Sequence, residues 1–238
     1  MNFNIITLGC KVNQYESQAM REDMLKNGFL LSDDRDRADI TIVNSCTVTS
    51  VSDAKNRKIL NRVRRENPDG IVILTGCMPQ AFPEESENFS NCDIVLGNAK
   101  RADLVPSIYK FLEEKQKFVH ITEHIGKGEK YENLSVSSLG EHTRAFIKIE
   151  DGCNRFCSYC IIPYARGPLR SRSLESIRTE TQRLISAGFK EIVLIGIHLG
   201  CYGKELAKEG KHVTLYDAVK AALSVEGVQR VRLGSLES

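Results

Sequence analysis

The chain has 238 residues, with 33 basic and 31 acidic side chains, eight cysteines and no tryptophan. Charged residues at 27% and hydrophobic ones at 41% describe a globular chain of one to two domains and exclude a disordered one. No apolar run reaches the ~18 residues of a membrane span, and the start MNFNIITLGC has no basic stretch leading into a long apolar core, so a cytoplasmic setting without membrane contact is expected. A net charge of +2 says little about partners.

In chain order, Phe3–Leu8 reads as a strand, followed by a helix from about Gln14 to Asn27 that stops at Gly28. Asp39–Asn44 is a second strand, and a second helix runs from about Asp53 to Glu66 and ends before Asn67-Pro68. Gly70–Thr75 and Asp93–Leu96 are further strands, and a helix covers about Lys100–Lys115. Strand and helix alternating at this pitch predict a doubly wound α/β domain with a parallel sheet, over about residues 1–122. The polar, weakly patterned stretch 123–142 reads as a linker.

A second β/α series fills residues 143–238. Ala145–Glu150, Glu191–Ile195 and Gln229–Leu233 read as strands, with helices over about Leu174–Ala187 and Leu215–Val225. Right-handed β/α units of this kind open a β/α barrel. Three strands cannot close one, so the chain is expected to be a truncated or unusually short version.

The cysteines carry the chemistry. In a chain of this kind, cysteines at fixed spacing favour metal ligands over disulfides. Cys153, Cys157 and Cys160 form a C-x3-C-x2-C run directly after a predicted strand. Three thiolates so close in sequence hold a cluster by three irons and leave the fourth open, as a substrate-binding cluster requires. A structural zinc site wants a fourth ligand nearby, and only His198 follows within the next forty residues. Cys10, Cys46 and Cys77 obey a different rule, since each lies one to three residues beyond the carboxyl end of a predicted parallel strand. Those ends share one sheet edge, where ligands bind, so three thiolates meeting there suggest a second cluster with one open iron. Packing of small cysteines at strand ends is the alternative. Cys92 and Cys201 fit neither set.

Several further residues allow two readings. Lys55, Arg57, Lys58, Arg62, Arg64 and Arg65 lie on one predicted helix with no acidic residue among them; the patch suits nucleic-acid phosphates or is a solvated face. Arg166, Arg170 and Arg172 follow the cysteine run and suit a cofactor, RNA or the N-terminal domain, or sit in a charged surface loop. Asn13 with Glu16 has the spacing of a helix N-cap and capping box.

The run Cys153–Cys160, with the aromatic Tyr159 before its last cysteine, resembles that of the radical S-adenosylmethionine enzymes. The resemblance implies that an open iron binds the amino and carboxylate groups of S-adenosylmethionine, and that an electron from the cluster cleaves the sulfonium to a 5′-deoxyadenosyl radical. In such enzymes a glycine-rich segment after the second barrel strand receives the cofactor, which points to Gly196 and His198, although His198 stands where an acidic residue is common. Ser235 and Glu237, after the third strand, would face the same pocket.

Both cysteine sets together, with Gly9-Cys10-Lys-Val-Asn13, Asn44-Ser-Cys46-Thr-Val-Thr49, Gly76-Cys77, Cys160-Ile-Ile-Pro163-Tyr-Ala-Arg166-Gly167 and Ser171-Arg172, resemble the methylthiotransferases over essentially the whole chain. The resemblance implies two 4Fe-4S clusters, S-adenosylmethionine, and a reducing partner such as flavodoxin or ferredoxin. Within the family, the residues around the first two cysteines resemble the branch that adds a methylthio group to C2 of N6-threonylcarbamoyladenosine at position 37, in the anticodon loop of tRNA. The alternatives are action on isopentenyl-adenosine tRNA or on a ribosomal-protein aspartate, and, outside enzymes, an iron–sulfur electron carrier or a zinc-binding module. Full members carry more barrel strands and a small RNA-gripping β-barrel, so this chain alone is expected to bind its clusters but turn over poorly.

Overall fold

A computed structural model describes residues 1–33, 37–122, 125–126, 131–134, 136, 144–234 and 236. The chain divides into two compact units: Met1–Ile125 with Cys157–Arg166, and Gly126–Phe156 with Gly167–Ser238.

The first unit is built on a six-stranded, all-parallel sheet. Its strands are β1 (Asn2–Thr7), β2 (Leu30–Leu31), β3 (Ile40–Ser45), β4 (Ile71–Gly76), β5 (Ile94–Leu96) and β6 (Phe118–His120), in the order β2-β1-β3-β4-β5-β6. Both β3 and β4 are buried at every position, which explains their unbroken apolar runs. Alternate residues of a strand face opposite layers. Ile71 and Ile73 join Met20 and Met24 of helix α1 (Lys11–Lys26) and Leu104 and Ile108 of α5 (Leu104–Glu114). Val72 and Leu74 join Leu60 and Val63 of α2 (Ser50–Glu66) on the other face. The expected doubly wound α/β domain is thus present. Its strand order reverses direction between β1 and β3, and in open α/β sheets that switch point opens the ligand crevice at the strand carboxyl ends. Two short helices, α3 (Cys77–Ala81) and α4 (Pro83–Glu87), follow β4. Helix α6 (Ile162–Arg166), far along the chain, packs into this first unit.

The second unit holds β7 (Ala145–Lys148), β10 (Glu191–Ile195) and β11 (Arg230–Leu233) as a parallel sheet in the order β11-β10-β7. Helix α7 (Leu174–Ser186) joins β7 to β10 and α8 (Leu215–Leu223) joins β10 to β11. These are the expected β/α units. Each helix starts where its cap directs: the Ser173 hydroxyl accepts from the Ser176 amide, and Thr214 and Asp217 form a reciprocal capping box.

Four expectations need correction. The strand expected to end at Glu150 stops at Lys148, and Glu150–Asp151 instead forms β8, which pairs antiparallel with β9 (Arg170–Ser171). The helix expected from Lys100 begins as a 3₁₀ turn over Asn98–Asp103 and becomes α5 only at Leu104. Helix α1 begins at Lys11, not near Gln14. The edge strands β2 and β6 were not expected; each spans only two or three residues, too few to show a period. Most of the expected linker 123–142 lies outside the described residues. Among the described residues, no helix is long and apolar enough to cross a membrane.

Candidate metal centres

The loops after β1, β3 and β4 carry Cys10, Cys46 and Cys77. Because these three strands are neighbours and the register aligns Thr7 with Asn44 and Asn44 with Thr75, the loops leave the sheet side by side. The backbone there is as tight as a glycine allows. Gly9 has φ +99°, and a Cβ on it would lie 2.8 Å from the Cys46 Sγ. Gly76 also has φ +99°, and its Cβ would meet the Ser45 carbonyl oxygen at 2.5 Å. The Ser45 hydroxyl accepts from the Met78 amide at 3.2 Å and donates to the Thr75 carbonyl at 2.6 Å, stitching the second loop to the third. The structure therefore brings Cys10, Cys46 and Cys77 to one edge of one sheet. Cys46 and Cys77 are buried, and Cys10 is exposed.

A buried polar network supports this edge. Asn13 and Glu16 lie inside α1, fully buried, and neither caps the helix; Cys10 occupies the cap position, with no capping bond from its side chain to the helix backbone. Asn13 donates through Nδ2 to the Ser45 carbonyl at 2.8 Å, and its Oδ1 accepts from the Cys10 Sγ at 3.4 Å. Arg166 is 1% exposed and grips Glu16 through two nitrogens, at 2.9 and 3.1 Å, while also donating to Asn13 Oδ1 at 2.9 Å. Arg101 approaches the same carboxylate at 3.4 Å. Asn98 donates to the Ala165 carbonyl at 2.7 Å and contacts the Cys77 Sγ at 3.7 Å. Burial pushes the Cys77 thiol well above its usual range, and the Arg166 cation partly offsets this.

All eight cysteines are free thiols. No three Cys, His, Asp or Glu side chains among the described residues gather tightly enough for a single ion. A tetrahedral zinc draws sulfurs to about 2.3 Å from one centre and hence within about 4 Å of one another. A cluster is held corner by corner, by sulfurs that need only surround it. The donor set on the sheet edge fits the second demand: three sulfurs, one edge, and a buried cation beside them.

The run Cys153–Cys160 divides between the compact units. Cys153 belongs to the second, and Cys157 and Cys160 belong to the first with α6. In the second unit, Cys153 lines a cavity of about 240 Å³ together with Asn154, Arg155, His198, Cys201 and Glu205. The cavity is walled by charges of both signs. Tyr159 is 90% exposed. Gly196 sits where a Cβ would lie 2.4 Å from the Glu150 carboxylate, and that carboxylate accepts from the amides of Ile197 and His198 at 2.7 and 2.8 Å. The glycine is thus required by the buried Glu150, a residue that sequence reasoning did not single out. Ser235 and Glu237 lie outside the described residues.

The basic residues are mostly committed elsewhere. Arg57 pairs with Glu85, Arg62 with Glu66 at 3.6 Å, Arg64 with Asp93 and Arg65 with the same Glu66 at 3.6 Å, so three carboxylates offset part of the charge of the α2 patch. Arg172 is buried against Glu180, and Arg170 lies 3.8 Å from Asp151. Arg166 and Arg172 are not surface-loop residues. Cys92 packs in the apolar layer with Val43 and Leu60, and burial pushes its thiol up to about 12. Cys201 lines the cavity, with the Lys204 ammonium 3.7 Å from its sulfur.

Residues 2–97 match the model of the Uncharacterized protein family UPF0004, and residues 147–227 match that of the Radical SAM superfamily. The chain carries both regions. It is similar to the "Threonylcarbamoyladenosine tRNA methylthiotransferase MtaB" of Bacillus subtilis (strain 168), at 41% identity over 98% of this chain and 51% of that protein. It is also similar to the "tRNA-2-methylthio-N(6)-dimethylallyladenosine synthase" of Pelotomaculum thermopropionicum, at 33% identity over 97% of this chain and 52% of that protein. The chain spans about half the length of the curated relatives it matches. Among solved structures, the radical S-adenosylmethionine methyltransferase TsrM from Kitasatospora setae, with cobalamin and a [4Fe-4S] cluster bound, has a similar fold. The TM-score is 0.57 at 14% identity, covering 98% of this chain and 60% of that one. The radical SAM region implies a 4Fe-4S cluster and S-adenosylmethionine.

Proposed function

We propose that this chain carries the two cluster-holding regions of a cytoplasmic radical SAM tRNA methylthiotransferase. Cys153, Cys157 and Cys160 hold one 4Fe-4S cluster, and Cys10, Cys46 and Cys77 hold a second. When bound, such clusters supply the electron that cleaves S-adenosylmethionine and an open iron on which sulfur can wait. The protein's own residues do the rest. The sheet edge presents three sulfurs from three separate loops, and Gly9 and Gly76 let those loops approach. The bonds of Arg166 to Glu16 and Asn13 brace the edge from behind. The mixed charges of the cavity beside Cys153 suit the zwitterionic end of S-adenosylmethionine, with Tyr159, Gly196, His198, Ser235 and Glu237 as further candidates to contact it. A flavodoxin- or ferredoxin-like partner delivers the electron.

The observation that carries this reading is the convergence of three cysteines, 36 and 31 residues apart, on adjacent strand ends. The substrate we infer is tRNA bearing N6-threonylcarbamoyladenosine, with C2 of the base as the acceptor. Relatives named for threonylcarbamoyladenosine stand at 30–41% identity and those named for dimethylallyladenosine at 33–34%; the two at 41% and 39% support this branch. Anaerobic reconstitution tests the core of the proposal: the chain should take up about eight irons, and Cys46→Ala and Cys157→Ala should each remove about four. Zinc with little iron, or an unchanged iron content in Cys46→Ala, would reject it.

A further inference from the structure

Asn98 lies two residues beyond β5, at the strand-end position next to that of Cys77. It is 2% exposed, and its amide is fully engaged. The carbonyl oxygen accepts from Arg101 Nη1 at 2.6 Å; the nitrogen donates to the Ala165 carbonyl at 2.7 Å and contacts the Cys77 Sγ at 3.7 Å. The amide cannot turn over. In the flipped orientation its NH₂ would face a guanidinium, which only donates, and its oxygen would face a carbonyl, which only accepts. Arg101 is itself buried and held 3.4 Å from the Glu16 carboxylate. Ala165 lies in α6, which begins two residues after Cys160 and belongs to the same compact unit as Cys77.

We infer that Asn98 is a positioning residue: its single buried amide donates to the sulfur of Cys77 and at the same time ties down the arm that bears Cys157 and Cys160. The inference rests on the proposed role of Cys77 as a cluster ligand. An N–H directed at a coordinating sulfur withdraws charge from it and stabilises the reduced cluster. The bond to Ala165 holds the arm against the sheet edge. One residue thus links the electronic setting of one thiol set to the placement of the other.

Asn98→Asp separates this role from shape. The side chain keeps its volume and its acceptor for Arg101 but has no N–H for either Cys77 or Ala165. Reconstituted wild-type and variant chains are compared by iron content and by electron paramagnetic resonance under stepwise reduction. Metal-free chains are compared by tryptic cleavage after Arg166. The variant should keep its iron, the cluster that depends on Cys77 should reduce at a more negative potential, and cleavage after Arg166 should quicken about tenfold, as expected when one buried hydrogen bond is lost. An unmoved potential, or cleavage within about twofold of wild type, overturns the inference. The added carboxylate would itself lower the potential, so Asn98→Ser, neutral and too short to reach both partners, is measured beside it. It must shift the potential and the cleavage in the same direction, and it stands alone where Asn98→Asp does not fold. A Cys77→Ala chain with undiminished iron would sink the ligand assignment itself; iron lost there, with nothing changed in the Asn98 variants, would sink only the coupling role.

Discussion

The two cysteine sets are built in opposite ways. Cys10, Cys46 and Cys77 are far apart in sequence, yet each leaves a buried parallel strand at its carboxyl end, and the sheet brings them together. Cys153, Cys157 and Cys160 lie within eight residues, yet the loop that holds them is divided between two compact units. In the first set the backbone ladder is the scaffold, and the cysteines come with it. In the second set sequence proximity provides little rigidity, and side-chain contacts must supply it. Arg166 supplies much of that. It is the last residue of α6, and its guanidinium is buried against Glu16 and Asn13 of α1.

This difference gives the largest predicted effect. Arg166→Ala takes away the close two-nitrogen contact to the buried Glu16 carboxylate, so the chain should lose about 3–5 kcal/mol of stability, the usual cost of breaking a buried ion pair. Urea unfolding measures it. A loss below about 1 kcal/mol, the range of exposed pairs, would mean that the arm is not held by this contact.

The same contrast explains what was legible before folding. Buried parallel strands read as continuous apolar runs, so the strand ends and the cysteines just past them could be placed from sequence alone. The polar residues behind them could not. Asn13 and Glu16 have the spacing of a capping box, and the spacing is also that of one helix face, so the local pattern fits both an exposed cap and a buried network. Only the arrival of Arg166, 150 residues later, decides between them. Arg166 itself sits in a basic stretch that reads as surface. Asn98 had a usable signal, since it follows a strand end just as the three cysteines do, but an asparagine after a glycine reads first as a turn. The antiparallel pair β8 and β9 joins segments only two residues long, below the length at which alternation can be seen.

A second prediction tests how tightly the first set is held. Gly76 and Gly28 both have positive φ, +99° and +84°, but a Cβ at Gly76 would strike the Ser45 carbonyl while one at Gly28 would meet nothing within 4 Å. Gly28→Ala should therefore cost about 1 kcal/mol, from backbone strain alone. Gly76→Ala should cost about 2–3 kcal/mol and should also displace the loop carrying Cys77. Thermal unfolding of the two variants side by side checks this. Equal losses would show that the close approach of the β3 and β4 loops adds nothing to the strain.

The smallest effect concerns a cysteine outside both sets. Cys92 is buried in the apolar layer on the α2 face, and its thiol is pushed from 9.0 up to about 12, chiefly by burial. A raised folded-state value means that the native chain favours the neutral thiol more than the unfolded chain does. Its contribution to stability is therefore complete below about 9 and is lost as pH rises toward about 12. At pH 10 the loss should be about 1 kcal/mol relative to pH 8. Cys92→Ala should flatten that part of the stability curve while lowering stability at pH 8 through the small cavity it leaves. Lysines and tyrosines titrate in the same window, so the quantity to read is the difference between wild type and variant as pH rises. Parallel curves would show that Cys92 ionises as freely in the folded chain as in the unfolded one, which a thiol enclosed by Val43, Leu60 and Val72 should not do.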